Sequence, residues 1–325
     1  MIGYALRRLA LAVSLVWGAS FAAFIAFALT IDPLWSLRMC GSPCAAQVKH
    51  LTAAYHLDKP LLDRYWIWLS SLVRHGFRDI SGVPISSGLL ESAKVTAELM
   101  ASALAVTVVF AVVVGVASAR RPGRPPDVVL RVLAYVAWSL PSFLVASVAL
   151  RWLVPTGWFL TGAAVGGLSE CSNCAVHLPP GGFVIWIRSM ALPVLTLSLG
   201  LIGLYSRYLR TALLTELYRP YAVVARGKGL TERRVVYRHA LRNALLPFVS
   251  VLSLEIGAIL GASLAVDYVF QMGGIASYFL GALTNSADPY TLTGVVIVAS
   301  AVVAFLMFLI DLMVGWLDPR TVITD

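Results

Sequence analysis

The chain has 325 residues, of which 59% are hydrophobic and only 13% charged, and its mean hydropathy is +0.83. A soluble domain carries roughly 25% charged residues, so composition excludes a soluble globular protein and predicts an integral membrane protein. The net charge of +9 does not point to nucleic acid, because the basic residues flank apolar runs and read as topology signals and lipid headgroup contacts.

Six continuous apolar runs, at 9–31, 99–119, 128–150, 192–214, 246–266 and 291–317, each have the ~20 residues that a bilayer core demands of a helix. The runs do not alternate, which excludes barrel strands, so the predicted fold is all-α with six transmembrane helices. The first run is too long for a secretion signal and has no small-x-small cleavage site before Asp32-Pro33; it is read as an anchor. Residues 1–98 are taken as this first helix plus an extracytoplasmic segment that forms a small subdomain, and 99–325 as a five-helix core. In the extracytoplasmic segment Leu61, Leu62, Tyr65, Trp66, Leu69 and Leu72 recur at helical spacing, which predicts an amphipathic helix near 60–73. That helix either packs on the spans or offers a docking surface to an extracytoplasmic partner.

Basic residues fix the orientation. Arg7 and Arg8, then Arg120, Arg121, Arg124 and Arg131, then Arg207 and Arg210, and finally Arg320 all fall on one side of a six-span chain. That side is cytoplasmic, with both termini inside. The four cysteines, Cys40, Cys44, Cys171 and Cys174, then lie outside, in an oxidising compartment if the source is bacterial. Four cysteines allow three pairings, local or across the two outer segments. Disulfides are preferred to a metal site, since Cys171, Cys174 and His177 offer three ligands but no clear fourth.

Between the fourth and fifth runs lies a polar island. From 216 to 242 it carries seven Arg or Lys and two acids. Pro220 suits a first helical position, Gly229 a left-handed position after a helix end, with Leu230 folding back on Val224 or Ala225. Thr231 is placed to cap a second helix with Glu232 in its first turn. The prediction is a rigid helix–corner–helix, built to be gripped by another protein.

Inside the membrane, Glu255 falls near the middle of the fifth run, where an ionisable group is costly and faces a bundle interior or water. It is a candidate for the wall of a translocation path, against the alternative of a protonated acid bonded to a neighbouring span. Pro141, a kink or helix start in the third run, is a secondary candidate for that path, and Pro193 is read in the same structural terms. Asp311, nearer the cytoplasmic end of the sixth run, is read as structural, and Trp138 and Trp152 as packing residues. The chain has no Walker-type phosphate loop, no zinc-protease helix, no nucleophile elbow and no dinucleotide fingerprint. No catalytic residue and no metal site is assigned.

The island at about 216–247 resembles the cytoplasmic coupling loop of importer-type ABC transporter permeases, above all the dipeptide/oligopeptide permease family. Members commonly read Tyr-x-Arg-Thr-Ala-Arg-Ala-Lys-Gly-Leu, then a basic stretch, then Arg-His-Ala-Leu-Arg-Asn-Ala-Leu-x-Pro. Tyr221, Ala225, Arg226, Lys228, Gly229 and Leu230 match the first block, and Arg238, His239, Ala240, Leu241, Arg242, Asn243, Ala244, Leu245 and Pro247 the second. Val223, Val224 and Gly227 depart from it. Leu57-Asp-Lys-Pro-Leu-Leu-Asp-Arg-Tyr65, Ser139-Leu-Pro-Ser-Phe143, Asp267-Tyr-Val-Phe270 with Gly273-Gly-Ile, and the Leu317-Asp-Pro-Arg320 ending are similar to the same permeases, whereas the cysteine-bearing insertions are not.

The resemblance implies the type I ABC importer permease fold in a bacterial inner membrane. It implies a peptide-importing complex with a second homologous permease, two ATPase subunits that use ATP and magnesium, and an extracytoplasmic binding protein. This chain itself would bind no cofactor. Tyr221, Ala222, Val223, Ala225, Arg226, Lys228, Gly229, Leu230, Arg238 and His239 would form the ATPase-coupling loop, with the small or compact Ala222, Val223, Ala225 and Gly227 letting the partner approach. Nickel, opine and oligosaccharide importers share similar permeases, so the cargo is not written in this chain. The rival readings are a proton-coupled secondary transporter that acts alone through Glu255 and Asp311, and a membrane scaffold.

Overall fold

The computed structural model describes residues 2–160, 182–285 and 288–317. Among them the secondary structure is helical, apart from one isolated antiparallel bridge between Arg78 and Pro84. The long helices are α1 (Ile2–Thr30), then, after the short α2 (Trp35–Met39), α3 (Ala45–Ala54) and α4 (Leu61–His75), α5 (Ser86–Ala119). α6 (Pro125–Ser139) and α7 (Ser142–Trp152) follow, then α8 (Gly182–Leu217), α9 (Pro220–Gly227), α10 (Glu232–Arg234), α11 (Leu241–Phe270), α12 (Ile275–Asn285) and α13 (Pro289–Leu317).

Five helical stretches are long and apolar enough to cross a membrane, and α6 with α7 makes a sixth if that bent pair is one span. The helices outrun the apolar stretches that predict them. α5 begins at Ser86 because Glu91, Lys94 and Glu98 stay helical beyond the apolar run, so a division at residue 98 falls within a continuous helix. The third run departs further from expectation: it is two helices that meet at 93°. Pro141 disfavours a helical conformation at the residue before it, and Leu140 is accordingly extended at φ −80°, ψ 122°. Pro141, itself extended, then caps α7. Pro193 and Pro247, by contrast, are carried inside α8 and α11.

Burial ranks the spans. In the most apolar window of α8, 44% of residues are buried, against 11% in α1, so α8 is the central column and α1 is peripheral. α6 approaches α8 so closely at Gly203 that an added Cβ would overlap the Ala134 carbonyl. At the same end Asp127 accepts two 2.9 Å bonds from the Arg210 guanidinium, one from the Gly123 N–H at 2.9 Å and one from Ser118. This buried carboxylate locks the α5–α6 turn to α8.

α1 is held on α13 by Arg8 and Asp311, 3.2 Å apart, while Ser253 of α11 donates to the other Asp311 oxygen at 2.9 Å. α4 forms where its spacing predicts, but only part of the predicted apolar stripe is its buried face. Tyr65 and Trp68 pack on Phe24 of α1 and Trp68 on Tyr290 of α13, while Leu62 and Trp66 face outward. Cys40 and Cys44 are joined by a disulfide, their Cα atoms 5.8 Å apart. Cys171 and Cys174 lie outside the described residues.

Candidate functional site

The polar island folds into the corner that its sequence predicts. Pro220 occupies the first position of α9 after an extended Arg219. At the other end Gly229 adopts φ +79°. Its N–H donates to the Arg226 carbonyl at 2.9 Å and the Leu230 N–H to the Ala225 carbonyl at 3.2 Å, the two bonds of a Schellman ending. Thr231 stands at the next capping position with extended backbone, but its side chain makes no capping bond. Its carbonyl instead receives the Arg234 and Val235 N–H groups, at 2.8 and 3.1 Å.

Arg226 ties the corner together. Its guanidinium makes two 2.9 Å bonds to the Glu232 carboxylate across the corner and a third, also 2.9 Å, to the Leu217 carbonyl at the end of α8. The fork geometry of arginine serves both partners at once. Tyr221 donates to Glu216 at 2.7 Å, and Arg219 lies 3.4 Å from the same carboxylate. Burial pushes the Tyr221 phenol up, so it remains a donor. Glu216 and Glu232 therefore carry more of the corner than their sequence positions suggested. The signal for Glu232 was its spacing from Arg226 across a turn glycine.

α9 is part of the core. Ala222 and Ala225 are buried in one cluster with Leu209, Leu213 and Leu217 of α8, Val116 of α5, and Phe248 and Leu252 of α11. This corrects the expectation that these two alanines face a partner: on an eight-residue helix they share the inward face at i, i+3 spacing. The outward face is Val223 and Val224, 56% and 55% exposed, with Gly227, Lys228 and the preceding Tyr218. Beyond α10 the chain makes a π-helical turn, Val235–Ala240, before α11. It buries Val235, Val236 and Ala240 while leaving Arg238 exposed and His239 half-buried. Such turns are frequent at functional sites.

Glu255 borders a cavity of about 210 Å³ between the α6–α7 break, α8 and α11. Its other walls include Trp138, Leu140, Ser142, Thr196 and Tyr205. Pro141 stands between the wall residues Leu140 and Ser142 rather than in the wall itself. Trp138 is thus more than a packing residue: it borders the cavity, and its ring and that of Tyr135 carry the Arg207 guanidinium at 4.6 and 4.3 Å. Trp152 is exposed, and Asp311, paired with Arg8, is not among the residues bordering this cavity.

At the end of the molecule opposite the island, Asp267, which the sequence marked only as part of a family landmark, organises the chain. Asp267 accepts from the N–H groups of Gly274 and Ala276 at 2.9 Å and of Ser277 at 3.2 Å, so it caps α12. Its signal was an acid closing an apolar run just before a Gly-Gly pair. Among the described residues no group of three or more His, Cys, Asp or Glu could hold a metal ion.

Comparison with known proteins identifies the family. The family described as "Binding-protein-dependent transport system inner membrane component" matches residues 111–323. The dipeptide transport system permease protein of Escherichia coli (strain K12) is 30% identical over 343 residues, covering 98% of each chain. The oligopeptide transport system permease protein of Mycobacterium tuberculosis (strain H37Rv) is 29% identical over 329 residues, 98% of this chain and 99% of the relative. The dipeptide transport system permease protein of Bacillus subtilis (strain 168) is 29% identical over 277 residues, 84% of this chain and 83% of the relative.

Proposed function

The chain belongs to the family of binding-protein-dependent transport system inner membrane components, and from that membership we propose that it is a peptide-importing subunit worked by ATPase partners through its α9 corner. The cargo is a di- or oligopeptide, as in the names of the relatives it resembles over its length. A second, homologous permease faces it across the translocation path. Two ATPase subunits, which bind ATP and magnesium, lie on the cytoplasmic side, and an extracytoplasmic binding protein delivers the peptide. Both termini are cytoplasmic, in keeping with the arginines that flank the spans. Catalysis belongs to the ATPases.

The observation that carries the reading is the continuity of α9 with the membrane core. Its inward face is buried among α5, α8 and α11, its outward face is bare, and Arg226 bolts it to both flanking helices. A push on Val223 and Val224 is therefore delivered to α8 and α11, and these two helices border the Glu255 cavity. The cavity supports Glu255 and the Pro141 break as features of the path. ATP binding shifts the spans to the extent that the closed ATPase pair grips one conformation of the permease more tightly than the other.

Reconstitution tests this. The purified chain alone in liposomes carries no peptide, with or without a proton gradient; with its second permease, ATPases and binding protein it imports trialanine when ATP is supplied. Proton-driven uptake by the isolated chain would establish the secondary transporter instead.

A further inference from the structure

The Glu255 cavity contains two polar groups that the chain leaves unserved. Glu255 is half-buried, and no hydrogen bond or ion pair reaches its carboxylate among the described residues. Tyr205, with 0% of its surface exposed, borders the same cavity, and its hydroxyl has no hydrogen-bond partner there either. A buried hydroxyl without a partner is destabilising, and an isolated carboxylate at membrane depth is more so. Every other wall residue is neutral. The cavity thus presents one carboxyl group and one phenol oxygen beside the Ser142 and Thr196 hydroxyls, while the Trp138 ring on its wall already carries Arg207.

From this we propose that Glu255 and Tyr205 form a binding subsite for a primary ammonium group. The carboxylate supplies the counter-charge, and the phenol oxygen accepts a second ammonium hydrogen. A volume of about 210 Å³ leaves room for an ammonium group and the atoms that carry it. The inference rests on the cavity belonging to the translocation path, and it specifies what the path recognises: the charged amino end of the cargo, or a lysine side chain.

The test needs no transport. The full chain in lipid nanodiscs is treated with dicyclohexylcarbodiimide, and labelling of Glu255 is followed by mass spectrometry. Trialanine is expected to slow labelling at least threefold, N-acetyl-trialanine to leave it unchanged, and Tyr205→Phe to be protected several-fold less, each variant measured against its own rate without peptide. Protection by N-acetyl-lysine amide would support the same subsite and show that a side-chain ammonium also enters. Equal protection by acetylated and free trialanine, or no protection by either, would overturn the proposal. If trialanine protects Glu255 but the reconstituted complex imports no peptide, the transport reading fails alone. If import proceeds without protection, the subsite fails alone.

Discussion

At the residue scale the corner depends on Gly229. A Cβ there would meet open space, so the restriction is conformational rather than steric. At φ +79° an ordinary L-residue costs roughly 1–2 kcal/mol, whereas asparagine tolerates that region better. Gly229→Val should therefore distort the Schellman ending and leave ATP hydrolysis running with uptake reduced at least fivefold, while Gly229→Asn should keep most of it. Parallel assays of hydrolysis and uptake in the reconstituted complex check this; equal, wild-type coupling in both variants would remove the rigid corner from the account. Gly229 was legible because a left-handed helix ending leaves a local mark in sequence. The inward facing of Ala222 and Ala225 was not legible, because small side chains suit close approach on either face. Only the packing of α8 and α11 decides which face meets the chain itself.

At the element scale the spans were legible wherever hydropathy alone sets a helix. The break at Leu140–Pro141 was not, since both arms are apolar and a long window averages across it. Nor was α12, whose 11 residues are too few to span and whose start is fixed by Asp267 from α11. If Pro141 sets the break, Pro141→Ala should let α6 and α7 straighten toward one helix. The exposed positions Val132 and Val148 offer label sites on the two arms. At 1.5 Å per residue their Cα atoms would stand about 24 Å apart in a straight helix and about 16 Å apart across a right-angled bend. Pulsed electron resonance between labels there should report a lengthening of several ångströms in the variant. An unchanged distance would mean that contacts such as the Gly203–Ala134 approach hold the bend without proline.

At the scale of the whole molecule the chain is one component of a binding-protein-dependent transport system. Its α6–α7 face leaves Val129, Val132, Leu133, Tyr135, Phe143 and Trp152 exposed, a surface fit for lipid or for a second permease. Its polar end gathers α5, α8, α9 and α11 into a single core that ends in two bare valines. The membrane core transmits and the partners drive: that division is the central claim. Its most direct test is cross-linking from Val224→Cys in the complete, reconstituted assembly, using a short bifunctional reagent. The account predicts a product joining this chain to a nucleotide-hydrolysing subunit, with a yield that changes when ATP is bound. An active assembly that yields no such product at Val224 or Val223 would contradict it.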